Sequence, residues 1–312
     1  MSLTARNLEE GGPVPADAPE VPPGRMILGL YLAVVLAMVV RIARFDDWNL
    51  GCWAVLLGFA ATFGPDRVAR PSRRSLALAV LFFGVLSYAF AYLPDVWFRI
   101  AFVMNHAEHY LVHADGWMAS LPFNDGAFLW RHRSEPLWGF MRWIYITGFD
   151  MVVWIPVVRS LVACDAWKVL RYALAAHLVQ FPLIMPFFTA FRVDEVWCVL
   201  GHPDGCLRGW DAETMKSLGA NCFPSMHTSV AFAILLLGLR ERSRFFRFAM
   251  AAYATTIIVS TVYLEIHWLV DIAGGIALGA LSVAITDWIV QRLQEGPMGA
   301  VPATPDASAL GK

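Results

Sequence analysis

Long apolar stretches separated by short polar connections constrain this chain more than any other feature. Eight such stretches lie at 26–43, 48–63, 75–93, 139–162, 168–190, 224–240, 246–266 and 268–291. Seven are close to the roughly 20 residues that a helix needs to cross a bilayer, and the second is short. Only 16% of the residues are charged, whereas soluble domains carry about 25%. The pattern predicts an all-α, polytopic membrane helix bundle with about eight transmembrane helices.

The apolar stretches divide the chain into four parts. Residues 1–25 and 292–312 are polar and contain several prolines, which predicts two disordered tails. Residues 26–74 are expected to hold two N-terminal membrane helices. Residues 75–291 hold the other six helices and are expected to form the main membrane domain.

Arginine and lysine collect on one side of the expected helices. They concentrate in the connections 64–74, 159–171 and 240–247. Because positive residues favour the cytoplasmic side, these connections and both termini are predicted to be cytoplasmic. The chain is therefore expected to be a multi-pass protein, most simply of the cell inner membrane.

Two long connections, 94–138 and 192–223, face the outer or periplasmic side in this arrangement. The first is too long to be a simple connection without structure of its own. Its many aromatic residues predict amphipathic helices at the membrane interface. Such helices could form a lid or a wall past which a lipid enters. The second contains Cys198 and Cys206, whose spacing permits a disulfide without requiring one.

Two short motifs place histidines at the outer ends of helices. Pro224-Ser225-Met226-His227 opens the sixth apolar stretch, and His267 and Asp271 lie where the seventh stretch ends and the eighth begins. Ionisable groups at such depths are costly and usually functional. One cytoplasmic hairpin of two helices separates the motifs, so both histidines return to the same surface of the membrane.

The spacing of His267 and Asp271 suits nucleophilic catalysis. Residues four apart share one face of a helix. A carboxylate there can accept the proton of one ring nitrogen, which fixes the tautomer and leaves the other nitrogen as a nucleophile. Taken alone, these two residues could equally be a structural pair, in which the imidazole and the carboxylate only hydrogen-bond to each other inside a helix bundle.

The sequence around His227 predicts the start of a helix. Proline suits a first helical turn, and the N–H groups that follow form a ready anion site. Ser225 adds a hydroxyl donor, and His227 could protonate the oxygen that leaves a bound phosphate. Taken alone, the motif is weak, and a capped helix with an incidental histidine is the default interpretation.

Together the two motifs resemble the second and third signatures of the type 2 phosphatidate phosphatase superfamily of membrane enzymes. The matching positions are Pro224, Ser225 and His227 in the second signature and Ser260, His267 and Asp271 in the third. The resemblance implies a six-helix catalytic core. In it, His267 is the nucleophile that takes the phosphoryl group, and Asp271 orients the ring of His267. It further implies that His227 is the general acid, that Ser225 binds phosphate, and that neither a metal nor a cofactor is needed.

Two cationic positions of the family are missing. Thr261 stands where the third signature has arginine, and the first signature, Lys-x6-Arg-Pro, has no match because Phe63 precedes Arg70-Pro71 in place of lysine. The same pattern, with Tyr263 ahead of His267, is similar to the inositol phosphorylceramide synthase branch, the targets of aureobasidin. In that branch a lipid hydroxyl, rather than water, attacks the phosphohistidine.

The resemblance makes Tyr263 a candidate substrate-binding residue. A replacement phosphate-binding cation is expected from Arg192 or Lys216 in the outer 192–223 connection, although basic residues in such loops are more often simply solvated.

Because the net charge is −1, no global field attracts nucleic acid. The expected partners are a phospholipid, a lipid alcohol and the membrane.

The resemblance predicts a membrane-embedded lipid phosphotransferase that moves a phosphoryl or phospho-headgroup unit through a phosphohistidine intermediate. Its expected place is in lipid metabolism, and the resemblance to the inositol phosphorylceramide synthases implies sphingolipid metabolism. The alternative is a lipid phosphate phosphatase that hydrolyses a phosphatidate, polyprenyl or sphingoid phosphate. A third interpretation, from another class, is a lipid-binding or transport protein whose histidines have lost their chemistry.

Overall fold

A computed structural model of the chain describes residues 110–163 and 165–295, together with single positions at 77, 81, 96, 99 and 100. The described residues are mostly helical, with almost no strand, which confirms the all-α class. Several expected features lie outside the described residues, apart from those single positions. They are the helices at 26–43, 48–63 and 75–93, the part of the 94–138 connection that precedes residue 110, and the tails 1–25 and 296–312.

Nine helices and two very short strands make up the described part of the chain. In order they are β1 (Val112–His113), α1 (Asp115–Ser120), α2 (Ala127–Trp130), α3 (Glu135–Leu161), α4 (Ala166–Ala190), β2 (Phe191–Arg192), α5 (Val196–Leu200), α6 (Ala212–Leu218), α7 (Met226–Gly238), α8 (Arg244–Tyr263) and α9 (Leu269–Glu295). Strands β1 and β2 pair in parallel.

Four of these helices are long and apolar enough to cross a membrane. They are α3, α4, α8 and α9, and α7 is a shorter apolar helix. The five match the last five predicted spans, but their ends differ. Helix α3 begins at Glu135 rather than 139, and α9 continues to Glu295, so the residues 292–295 assigned to a tail are helical.

Helix α7 lies at the centre of the bundle and packs against α8, α9, α3 and α4. Its contact with α9 is unusually close because glycines of α9 face the backbone of α7. A Cβ added at Gly275 would lie 2.6 Å from the carbonyl oxygen of Ser225, and one added at Gly279 would lie 2.5 Å from that of Ser229. Small residues allow this approach, which is a common device where membrane helices associate.

Ion pairs join the helices at the end of the bundle where α7 finishes. Glu241 is buried and accepts hydrogen bonds from Lys168 Nζ at 2.9 Å and from Tyr172 Oη at 3.1 Å. Arg240 donates to both carboxylate oxygens of Asp287 on α9, at 2.9 and 2.8 Å. These contacts tie the α7–α8 turn to α4 and α9, so both ends of the α7–α9 contact are fixed.

The turn between α8 and α9 differs from the sequence expectation. Helix α8 ends at Tyr263, not at residue 266, and α9 starts at Leu269. His267 therefore lies in the turn and not on a helix shared with Asp271. Glu265 adopts a positive φ of 60° there, and its buried carboxylate pairs with Arg133 Nη2 at 3.2 Å and with His202 Nδ1 at 2.6 Å.

The segment from 110 to 134 carries a row of exposed apolar side chains. Leu111, Trp117, Phe123 and Phe128 are all exposed, and Phe123 is 77% exposed. This part of the predicted interfacial connection contains only the short helices α1 and α2. The exposed row is compatible with a position at the membrane interface, which stays a prediction.

Replacing Gly275 by alanine should weaken the bundle. The new methyl group would lie 2.6 Å from Ser225 O and 2.8 Å from Thr228 Cβ, and relieving that overlap should cost about 1–3 kcal/mol. Thermal unfolding in detergent micelles measures the loss. Gly139→Ala on α3 is the matched control, because nothing lies within 4 Å of its Cβ position; equal midpoints for the two variants would contradict the close contact.

Candidate active site

The structure brings the two histidine rings together. The ring centroids of His227 and His267 lie 6.3 Å apart, at an interplanar angle of 51°. His227 is the second residue of α7, and His267 is in the turn that leads into α9. The close α7–α9 contact therefore places two helix starts, each with its histidine, beside one another.

Asp271 is fully buried and faces His267. Its Oδ2 lies 3.5 Å from Nδ1 of His267, an ion-pair contact longer than an ordinary hydrogen bond. The same oxygen accepts the backbone N–H of Trp268 at 2.8 Å. That bond is the returning half of a capping box, in which the third residue of a helix closes onto the residue before it. It fixes the carboxylate against His267 although the histidine is not helical.

Ser225 is the N-cap of α7. Its Oγ accepts the N–H of Thr228 at 3.2 Å, and the side chain is fully buried. The predicted helix start is thus present, but Pro224 lies before the cap and not in the first turn. The Ser225 N–H donates to the carbonyl oxygen of Asp271 at 3.1 Å. Ser225 therefore connects α7 directly to the turn that carries the acid.

His227 is held between two aromatic rings of α3. Tyr145 stacks on it with centroids 4.2 Å apart, and Phe149 lies 4.1 Å away on a tilted plane. Residues Ile144–Gly148 form a wide π-helical turn, a feature often found at functional sites. No described residue hydrogen-bonds to the ring of His227. Both nitrogens are thus without a protein partner in the part of the chain that the structure describes.

Two other predicted site residues, Tyr263 and Arg192, have partners outside the histidine pair. Tyr263 is buried, and its hydroxyl accepts the N–H of Ser134 at 3.3 Å. Arg192 pairs with Asp194 at 3.5 Å. Among the described residues, no hydrogen bond or ion pair joins Tyr263 or Arg192 to either histidine. Lys216 lies on α6, and its side chain is not among those that the structure describes.

Arg208 is a partly buried cation near the site, and the sequence did not point to it. It donates to Glu195 and, through Nε at 3.0 Å, to Asp204, and its guanidinium lies 3.9 Å from the centre of the Trp210 ring. Burial opposes its charge, but the hydrogen bonds and the charge of Glu195 outweigh it and raise the pKa of Arg208 above its ordinary value.

The loop that holds Arg208 packs against the turn that holds His267. A Cβ at Gly205 would lie 2.1 Å from the carbonyl oxygen of Leu264, so only glycine fits there. Burial would raise the pKa of Asp204, but hydrogen bonds from the Arg208 side chain and from backbone N–H groups lower it. Asp204 thus stays ionised and keeps Arg208 in place.

Asn124 is a second residue that the sequence gave no reason to select. Its backbone oxygen accepts the N–H of Leu269 and its Oδ1 accepts the N–H of Val270, both at 2.9 Å. Its Nδ2 donates to Met118 O at 2.9 Å. The N–H groups of Leu269 and Val270 are the first two of α9. The 110–134 segment therefore caps the helix whose first turn contains Asp271.

The structure also records Cys198, Cys206 and Cys222 as free thiols, so the Cys198–Cys206 disulfide that the spacing permitted is not formed. Cys198 is exposed, and the other two are buried.

A family model described as the PAP2 superfamily matches residues 186–295. That range includes Ser225, His227, His267 and Asp271. No curated protein and no solved structure matches the chain. With the apolar helices, the match supports a multi-pass membrane protein of the type 2 phosphatidate phosphatase kind, a superfamily of phosphatases and phosphotransferases. It does not distinguish one branch from another.

Asn124→Ala should loosen the start of α9. Losing a capping acceptor costs about 1 kcal/mol, and displacement of Asp271 should lower phosphatase or phosphotransferase turnover more than the fall in stability explains. Thermal unfolding and initial rates, measured on the same preparation, separate the two effects. Asn124→Asp keeps the acceptor for Val270 and should recover most of the activity. An alanine variant with full activity would show that the cap does not position the acid.

Proposed function

We propose that the chain is a lipid phosphotransferase of the inositol phosphorylceramide synthase kind, which works through a phosphohistidine on His267. The observation that carries this proposal is the arrangement of two facing imidazoles, 6.3 Å apart between centroids, with a buried carboxylate behind one of them. A nucleophile needs to approach phosphorus to about 3–3.5 Å, and a proton donor needs to lie about 2.6–3.2 Å from the leaving oxygen. One phosphate ester between the rings can meet both requirements.

The first half-reaction uses both histidines. Because Nδ1 of His267 faces Asp271, Nε2 is the nitrogen that attacks phosphorus. The Nε2–P bond forms as the P–O bond to the lipid alkoxide breaks, and His227 gives its proton to that oxygen. Asp271 stabilises the imidazolium that develops on His267, as the acid of a catalytic triad does.

The second half-reaction reverses these roles with a new alcohol. The acceptor hydroxyl gives its proton to His227 and attacks phosphorus, and the Nε2–P bond breaks. His267 then returns to its neutral form. At the helix start, the N–H groups of Met226 and His227 have no partner within the helix and can bind phosphate oxygens.

The burial of the site favours a lipid acceptor over water. Ser225 and Asp271 are fully buried, His267 is 5% exposed, and two aromatic rings cover His227. A site that excludes water protects a reactive intermediate from hydrolysis. The phosphatase alternative shares the first half-reaction and differs only in the acceptor.

Acceptor dependence separates the two reactions. The protein is reconstituted in vesicles that contain a headgroup-labelled phospholipid, with and without a lipid alcohol such as ceramide. A transferase should form a new phosphorylated lipid only when the alcohol is present. Water-soluble labelled phosphate released at the same rate without any alcohol would instead assign the chain as a phosphatase.

A labelled intermediate tests the role of His267. Incubation with the labelled donor alone should attach acid-labile label to the protein, and addition of the lipid alcohol should remove it. His267→Ala should bind no label and lose turnover by roughly 10³-fold or more. His113→Ala is the control, because that imidazole is exposed on β1. Label retained in the His267→Ala variant would exclude the proposed nucleophile, and a folded chain with no turnover of any lipid would favour the binding-protein interpretation.

A further inference from the structure

Three metal-binding side chains converge behind the nucleophile. The Sγ of Cys222, a ring nitrogen of His267 and a carboxylate oxygen of Asp271 all lie within 4.8 Å of one another, and all three residues are buried. They come from different places: Cys222 precedes the start of α7, His267 is in the α8–α9 turn, and Asp271 is in the first turn of α9. The Ser225–Asp271 backbone bond joins those places.

The donor atoms of this cluster lack good partners. Among the described residues, His267 Nδ1 and Asp271 Oδ1 are buried and have no hydrogen-bond partner. The Cys222 thiol makes only long contacts, 3.5 Å to Ile266 O and 3.7 Å to Gly219 O. Most buried polar atoms in proteins are paired, so unpaired atoms that share one small space call for a ligand.

The chemistry of the donors selects a zinc-like cation. Thiolate, imidazole and carboxylate are the three ligand types of Zn²⁺, with bonds of about 2.0–2.3 Å, whereas Mg²⁺ and Ca²⁺ take oxygen ligands. Tetrahedral bonds of those lengths put neighbouring donors roughly 3.3–3.7 Å apart. The His267 Nδ1–Asp271 Oδ2 distance of 3.5 Å is already in that range. Because the donor atoms all lie within 4.8 Å of one another, the sulfur has to move by at most roughly 1–1.5 Å to reach it.

We propose that Zn²⁺ binds to Cys222, His267 and Asp271 and switches the active site off. One thiolate and one carboxylate balance the two charges of the ion, so no net charge is buried. Three protein ligands leave the fourth position to water. Zinc is here an inhibitor, which agrees with a reaction that itself needs no metal.

Inhibition follows from where the protons go. The Cys222 thiol releases its proton to solvent as the sulfur–zinc bond forms. Zinc takes the lone pair of His267 Nδ1, so the ring proton moves to Nε2. That nitrogen then has no lone pair with which to attack phosphorus. This part of the inference rests on the proposed function, but binding of the metal does not.

Cobalt provides a readout that is independent of turnover. The full-length protein, stripped with a chelator, is titrated with Co²⁺, whose thiolate complexes absorb in the near ultraviolet. Wild type should show the thiolate band at one Co²⁺ per chain, and Zn²⁺ should abolish it. Cys222→Ser and His267→Ala should each lack or strongly weaken the band, whereas Cys198→Ser, which removes an exposed thiol, should keep it.

Inhibition is then measured on the lipid reaction. Cys222→Ser should need at least tenfold more Zn²⁺ for half-inhibition of its own zinc-free rate than wild type or Cys198→Ser. Equal inhibition of all three, or a wild-type protein without the Co²⁺ band, would overturn the proposal. If Cys222→Ser does not fold, the wild-type and His267→Ala titrations decide. A band without any lipid turnover would keep the metal site and reject the proposed reaction.

Discussion

One backbone hydrogen bond, from the N–H of Ser225 to the carbonyl oxygen of Asp271, joins the two halves of the site. It can form only because Gly275 lets α9 approach α7 so closely. Each histidine belongs to one of the two chain segments that meet there. The distance between the rings is therefore set by backbone packing and not by the flexible side chains themselves. The Arg240–Asp287 ion pair holds the other end of the same contact.

The sequence predicted those parts of the site that depend on local pattern. The apolar runs located α3, α4, α7, α8 and α9. A helix that spans a membrane must hydrogen-bond all of its own backbone groups, so it appears in the sequence as a long uninterrupted apolar run. The motifs selected Ser225, His227, His267 and Asp271, and the hairpin between them explained why the histidines meet. The turn at His267 was missed, because the end of a helix inside an apolar run has no strong signal.

The rest depends on long-range contacts that no local pattern encodes. Asn124 lies 145 residues before Leu269, whose amide it caps, and in the sequence it is simply part of a turn. Arg208 stands among acidic residues in a loop, where a solvated side chain is the ordinary expectation. Tyr145 and Phe149 are two among many aromatic residues in an apolar helix. Their positions against His227 follow from how α3 packs on α7, which requires the folded structure.

Charged residues of the 192–223 connection pair with one another, since Arg208 pairs with Glu195 and Asp204, and Arg192 pairs with Asp194. In the proposed reaction, these pairs leave the binding of phosphate mainly to backbone N–H groups at the start of α7.

The cap on α9 has a mechanical consequence. Phe123, which is 77% exposed, directly precedes Asn124, whose oxygens accept the amide N–H groups of Leu269 and Val270. A displacement of that ring would therefore reach the first turn of α9, which contains Asp271, through one peptide unit and the two hydrogen bonds of Asn124.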